Sequence, residues 1–338
     1  MKTVTIPDLK DKMLAAMTIR GLTAKEAEIV IAPFIEAELR GKRTHGINKF
    51  FVIDDGLHNR GTPHIIRDKF SYALIDGNKE LGFLCADMAM DMAIQKAKQH
   101  GSGIVGLTNA FYFSVLWPYA RKAAEAGLVS IIMKSGGPAG VAPFGGADPI
   151  MGINPLSIGI PARGGPIILD MTAAQKPWGE VNLARVENRP LAPNTFIDKN
   201  GNFTTDPAQA EAIIPFGGAK GYGLNLAIEV LTGAFVGARM GLQVKEVYDT
   251  GNLFIALSPE MFTEMDTFLD SVEVLKTELK SSRPMANFPE VYLPGEQGDA
   301  LFKKNTVKGS LEIPKDIWDA LCKYADGVDI KSALQIKL

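Results

Sequence analysis

Gly101-Ser102-Gly103-Ile104-Val105-Gly106 matches the G-x-G-x-x-G pattern of dinucleotide-binding turns, and its context decides the fold. In the doubly wound α/β site that run follows a strand and opens a helix, so that a pyrophosphate meets free N–H groups at the helix N-terminus. Here the order is reversed. The Ala- and Met-rich run from Leu84 to His100 predicts a helix before the glycines, and Ile104 to Leu107 predicts a short strand after them. The run therefore reads as a helix C-cap and a tight turn into a buried strand. No Walker-type G-x-x-x-x-G-K-S/T run is present, so a dinucleotide, if bound, is held by another route.

Outward from this point the elements follow from local signals. Toward the N-terminus, Leu9, Met13, Ala16 and Met17 keep helical spacing up to Gly21. Thr23-Ala24-Lys25-Glu26 is a capping box that opens a helix over about 24–40, stopped at Arg40-Gly41. Toward the C-terminus, a helix is expected over 114–126 and a strand from Val129 to Met133. From Gly136 to Pro166 nine Gly and six Pro leave room only for turns and short strands. Ile167 to Leu169 reads as a strand running into Asp170, and Lys199-Asn200-Gly201-Asn202 as a hairpin turn. Further helices are expected over 219–236, 259–280, 298–305 and 315–325, with a strand from Leu253 to Leu257. The simplest organisation is discontinuous, with helices from both chain ends in one lobe and the Gly/Pro-rich middle in the other.

Composition excludes several classes. The 338 residues carry 36 Lys and Arg against 38 Asp and Glu, a net charge of −2 that leaves no footprint for nucleic acid or an anionic membrane. Hydrophobic residues make up 46% and charged residues 22%, which excludes a disordered chain. Cys85 and Cys322 form neither a C-x-x-C motif nor a zinc framework, so no metal site is expected. No apolar run or signal core is visible, and a soluble cytoplasmic protein is expected. Only four histidines exist, His45, His58, His64 and His100, and any imidazole acid–base chemistry must use one of them.

Four stretches are candidates for chemistry. Arg40-Gly41-Lys42-Arg43-Thr44-His45-Gly46-Ile47-Asn48-Lys49 packs four cations and one His just past a helix end, which suits an anionic substrate and proton transfer. The same residues read equally as a solvated basic loop favoured by the helix dipole. Phe216-Gly217-Gly218-Ala219-Lys220-Gly221-Tyr222-Gly223 places one Lys among four Gly at a helix entrance, either an anion cradle or a tight turn. Asp170, ending an apolar strand, anchors a ligand or caps a turn, and capping is the commoner use. Pro294-Gly295-Glu296-Gln297-Gly298 closes over a ligand or is an ordinary turn.

Taken in order, several of these stretches resemble a known family. Arg40-Gly41 with Thr44-His45-Gly46, Pro143-Phe144-Gly145-Gly146, Gly152-Ile153-Asn154-Pro155, Leu169-Asp170-Met171, Thr204-Thr205-Asp206-Pro207, Pro215 through Leu224 and Pro294-Gly295 occur in the register of the type-2 malate/L-lactate dehydrogenase family. That family includes ureidoglycolate, sulfolactate and piperideine-2-carboxylate enzymes. The resemblance covers nearly the whole chain. It implies an α/β (α+β) fold with a non-Rossmann NAD(P)-binding domain, built on a mostly antiparallel sheet flanked by helices. A helical domain from both chain ends completes it. The expected division is 1–75 with 260–338 for the helical, substrate-side domain and 76–259 for the cofactor domain. A homodimer is also implied.

The resemblance assigns residues as well. His45 takes the proton-donor role. Lys49 stands where the family has an Arg, and Arg43 or Arg40 is expected to share the grip on a substrate carboxylate. A Lys keeps the charge of that Arg but not its bidentate fork. Tyr112 and Ala219 stand where the family has histidines, and Tyr112 is counted with the catalytic set. Gly136, Asp170, Met171, Thr172, Lys220, Gly295 and Glu296 fall on cofactor-side positions. The implied activity is NAD(P)-dependent hydride transfer at C2 of a small 2-oxo or 2-hydroxy acid of the malate, lactate or ureidoglycolate type. NAD is the expected cofactor, with NADP as the other form. Two alternatives follow from the missing histidines: a ketimine reductase acting on piperideine- or pyrroline-2-carboxylate, and a nucleotide-binding protein without catalysis.

Overall fold

The computed structural model describes residues 1–329, and the segment 330–338 of the expected helical domain lies outside the described residues. A seven-stranded sheet runs in the spatial order His64–Asp68, Tyr72–Asp76, Ser102–Thr108, Gly251–Leu257, Val129–Lys134, Pro155–Ile160, Ile167–Thr172. Every neighbouring pair is antiparallel except Tyr72–Asp76 with Ser102–Thr108. That one parallel pair needs a crossover, supplied by the helix Gly82–His100. The fold is thus α/β with a mostly antiparallel sheet, as the resemblance implies, and it is not doubly wound.

The period of two along each strand builds two cores. Val105, Leu107, Ile132, Phe254 and Ala256 join the larger core, shared with Gly82–His100, Trp117–Glu125 and the terminal helices. Met133 and Leu253 point the other way and meet Ile228 of the helix Ala219–Thr232. The chain ends meet directly. The strand Lys2–Thr5 pairs with Ser310–Ile313, and the helix Ile6–Thr18 packs on Ala24–Leu39 and Lys315–Ala325.

The glycine run has a packing explanation. Gly101 caps Gly82–His100 with φ +83°, a left-handed conformation that Gly adopts without strain. Ala86, Ala89, Ala93 and Ala97 are buried along that helix. A Cβ on Gly103 would lie 2.0 Å from the Ala93 carbonyl oxygen, so the strand touches the helix backbone itself.

Several expectations shift. The helix expected over 114–126 starts at Trp117, and the one over 219–236 stops at Thr232. The stretch 259–280 divides into a short turn, Pro259–Met261, and the helix Met265–Ser281. The domain boundary expected at 75/76 falls inside the strand Tyr72–Asp76, so the hairpin of His64–Asp68 and Tyr72–Asp76 extends the sheet instead of joining the terminal helices. His64–Asp68 is an edge strand exposed at every residue, and it carries no apolar alternation for sequence reading to detect. Among the described residues no helix is long and apolar enough to cross a membrane.

Gly103→Ala is expected to lower stability by roughly 1–3 kcal/mol through overpacking against Ala93, read as a lower urea midpoint. Under conditions where the variant is folded, binding of the nicotinamide nucleotide that the family resemblance implies should match that of the wild type. A selective loss of nucleotide binding would return the glycine run to a phosphate-binding role.

Candidate active site

A cavity of about 620 Å³ opens where the first helical layer, the loop 109–116 and the ends of three strands meet. This volume lies within the usual range of ligand sites, about 300–1,000 Å³.

One wall comes from the helix Ala24–Leu39 and the turn Arg43–His45 that follows it. The turn is fixed by Glu38, whose carboxylate accepts the Ile47 N–H at 2.8 Å. Arg40, Lys42 and His45 line the cavity, whereas Arg43 and Lys49 do not. Burial, aided by the charges of Lys42 and Lys49, pushes the His45 imidazole down to about 4. It is therefore neutral at pH 7. Its Nδ1 is buried with no hydrogen-bond partner. Arg40 is fully engaged, through Glu36 at 2.6 Å and Asp299 at 2.6 Å. Arg121 also lines the cavity and is held by the same Glu36.

The opposite wall is the strand Ile167–Thr172. Asp170 accepts the N–H of Trp117 at 2.8 Å and of Leu116 at 3.3 Å, which caps the helix Trp117–Glu125. It also lines the cavity. Asp170 is the exposed position of its strand and opens to the cavity; the enclosing walls push its carboxyl up to about 6, against the lowering effect of those two N–H groups and of Lys42. Met171 and Thr172 line the same wall. The Thr172 hydroxyl accepts the Ala174 N–H at 2.8 Å and shapes the turn beyond the strand.

The loop from Asn109 to Leu116 contributes Tyr112 and Ser114. Burial pushes the Tyr112 phenol well above its ordinary range, so it stays protonated. Ser114 and Trp117 line the cavity, and among the described residues Ser114 Oγ and Trp117 Nε1 are buried without hydrogen-bond partners. Tyr292 to Gly295 complete the lining. Gly295 has φ +86°, and a Cβ there would stand 2.9 Å from the Ile168 carbonyl oxygen.

Other sequence-derived candidates are placed differently. Gly136 lines the cavity, but its Cβ direction runs into the backbone of Ile153 and Asn154, so its first requirement is packing. Lys220 is exposed in the first turn of Ala219–Thr232, and Glu296 is turned to Lys280 at 2.6 Å. Neither lines the cavity. One residue that sequence reasoning passed over is Lys134, which ends the strand Val129–Lys134, lies 8% exposed and lines the cavity. The only sequence signal was a Lys terminating an apolar strand just before Gly136.

The malate/L-lactate dehydrogenase family profile matches residues 4–322. The chain is 34% identical to the malate/(S)-sulfolactate dehydrogenase of Methanothermus fervidus over 92% of its own length and 94% of that protein. It is 32% identical to the NAD(+) ureidoglycolate dehydrogenase of Escherichia coli over 90% of each chain. The solved sulfolactate dehydrogenase of Methanocaldococcus jannaschii superposes with a TM-score of 0.89 at 32% identity, covering 98% of this chain and 99% of that one.

Asp170→Ala removes a helix cap and is expected to cost about 1 kcal/mol of stability. Asp170→Asn keeps an acceptor oxygen and should recover most of that loss. Urea midpoints at pH 7 measure both variants, and equal losses would show that the cap contributes nothing.

Proposed function

The chain belongs to the malate/L-lactate dehydrogenase family, and from that premise we propose that it transfers hydride between a nicotinamide cofactor and C2 of a small 2-hydroxy or 2-oxo acid. The observation that carries this reading is a neutral His45 with an orphaned Nδ1 on the wall of a ligand-sized cavity.

The residues present fit a nicotinamide cofactor. Ser114 Oγ and Trp117 Nε1 offer unspent polar atoms, and the backbone at Gly295 comes close to Ile168 with no side chain between them. We assign Asp170, Met171, Thr172, Gly136 and Gly295 to the cofactor side, with Lys220 and Glu296 at its periphery. When bound, the cofactor supplies or accepts the hydride. NAD is the proposed form, supported by the similarity to the relative named as NAD(+)-dependent.

The chain's own residues handle the proton and the substrate's position. In the oxidative direction neutral His45 accepts the hydroxyl proton of the 2-hydroxy acid as C2 loses hydride. In the reductive direction it must first take up a proton, which burial opposes until an anionic substrate arrives. Tyr112 stays a neutral phenol and serves as a donor to the substrate oxygen. Such positioned acid–base groups are worth about 10²–10⁴-fold. Lys42, exposed and lining the cavity, adds positive charge for an incoming carboxylate. Lys49 and Arg43 act on the turn, Lys49 through the potential at His45 and Arg43 through that at Glu38.

The ketimine reductase reading keeps one observation in its favour. A protonated imine accepts hydride without further protonation, so a neutral His45 is no obstacle to it. A screen of NAD(H) and NADP(H) turnover over malate, lactate, sulfolactate, ureidoglycolate and their 2-oxo acids, with piperideine- and pyrroline-2-carboxylate beside them, decides. Turnover confined to the cyclic imines would reject the hydroxy-acid reading, and nucleotide binding with no turnover anywhere would favour a non-catalytic protein.

His45→Ala is expected to lose at least ~10²-fold in kcat at pH 7 while still binding NADH. Because His45 is neutral above about 4, kcat/KM for oxidation in the wild type should hold through pH 6 and fall only as the pH approaches 4. An acid limb at the ordinary histidine value of ~6.5 would contradict the buried imidazole.

We also propose a homodimer. The helix Met265–Ser281 buries none of its residues and exposes Val274, Leu275 and Leu279. Light scattering should give twice the chain mass, and Leu275→Glu should shift it toward the monomer.

A further inference from the structure

We propose that Lys134 is the residue that holds the substrate's carboxylate, in place of the Lys49, Arg43 or Arg40 that sequence reasoning selects.

The argument is an inventory of charge on the cavity wall. Arg40, Lys42, Arg121 and Lys134 are its cations. Arg40 is satisfied by Glu36 and Asp299, and Arg121 by Glu36. Lys42 is solvated. Lys134 is more than nine-tenths buried, and among the described residues no carboxylate pairs with it. Its Nζ makes one hydrogen bond, to the Ser135 carbonyl at 3.1 Å, and leaves two N–H groups uncommitted. The ammonium lies 5.2 Å from the Phe113 ring centroid and 5.7 Å from that of Tyr112, a cation–π cradle that orients it without neutralising it. Beside it, Ser135 Oγ and the Oδ1 of Asn252, its cross-strand partner, are buried and unbonded.

A buried, uncompensated ammonium is costly, and such groups are found where a ligand supplies the missing charge. The ligand chemistry is a carboxylate. The two free N–H groups match its oxygens, and Tyr112 in the same wall places the adjoining C2 oxygen beside a phenol. Burial already pulls the amine down to about 8, so an arriving anion should pull it back up and draw in a proton. The other groups facing the cavity titrate elsewhere. His45 lies at about 4, Asp170 at about 6, and Tyr112 is pushed far up; Arg40 and Arg121 are paired with Glu36, and Lys42 faces solvent. A ketimine carries its own positive charge next to this ammonium, which favours the 2-oxo acid.

The inference rests on the 2-hydroxy acid reading, and its test keeps the two apart. Oxamate, an unreactive 2-oxo acid analogue, is titrated by calorimetry onto the NADH-loaded enzyme at pH 8.5 in buffers of differing ionisation heat. Wild type should bind it with net proton uptake at pH 8.5, where the amine is partly uncharged and Asp170, at about 6, is already ionised. Lys134→Met should weaken oxamate about 30-fold or more, abolish the uptake and raise KM more than it lowers kcat. It is also expected to raise Tm, since it removes an uncompensated buried charge, and Lys134→Gln gives the same readouts should Met fail to fold. Oxamate binding and proton uptake left unchanged in these variants would overturn this assignment alone. A wild type that neither binds oxamate nor turns over any 2-hydroxy acid would overturn both readings.

Discussion

Backbone-to-backbone contact between helix and sheet sets the geometry of the molecule. Gly103 rests on the Ala93 carbonyl, and Gly159 stands in the same relation to Ala120, where a Cβ would approach its oxygen to 2.4 Å. These contacts draw Gly82–His100 and Trp117–Glu125 onto the strands at the closest distance a protein interior allows. The loop 109–116 connects the Ser102–Thr108 strand to the second of these helices. Its course is thereby constrained at both ends, and Tyr112, Ser114 and Trp117 are delivered to one cavity wall. The glycines of a familiar cofactor motif thus serve the site through packing, at one remove from any ligand.

Asp170 couples that scaffold to the chemistry. Its carboxylate satisfies the first N–H groups of Trp117–Glu125 and also faces the cavity. A helix end that would otherwise leave unbonded donors is closed by a residue of the sheet's last strand. The helix, the strand and the cavity wall are therefore tied through one side chain. This is the rigidity that hydride transfer between two bound molecules requires, since misplacing the reacting atoms by about 1 Å can cost ~10²-fold.

The parts legible in the sequence were those written locally. The reversed order of helix and strand around Gly101 excluded the doubly wound fold, and the Thr23 capping box appears in the structure with both of its hydrogen bonds. His45 was legible because it sits in a dense run of cations with Gly46 beside it. The hairpin 64–76 was not, because an exposed edge strand carries no apolar alternation. Lys134 was not, because a lysine at a strand end ordinarily extends its amine into water. Only the fold of the loop 109–116 over it, a contact between chain segments about twenty residues apart, turns that amine into a buried charge. Lys220 shows the converse: its glycine cradle was conspicuous in sequence, yet the side chain stands outside the cavity.

The electrostatics of the cavity separate two kinds of basic group. His45 and Lys134 are both stripped of water, and the same cause moves both downward. The imidazole starts near ~6.5 and rests neutral at pH 7, free to accept a proton, while the amine starts near ~10.4 and remains mostly charged at pH 7. On the proposed reading, this one pocket supplies a proton acceptor in His45 and an anion holder in Lys134. Such a pair is unfavourable in the empty enzyme, since the charge has no counter-ion and Nδ1 has no partner. On that reading a ligand bearing a carboxylate and an adjoining hydroxyl completes both groups, whereas a ligand lacking either leaves one of them unpaired. Selectivity of this kind does not come from shape. It arises because buried polar groups penalise every molecule that fails to complete them.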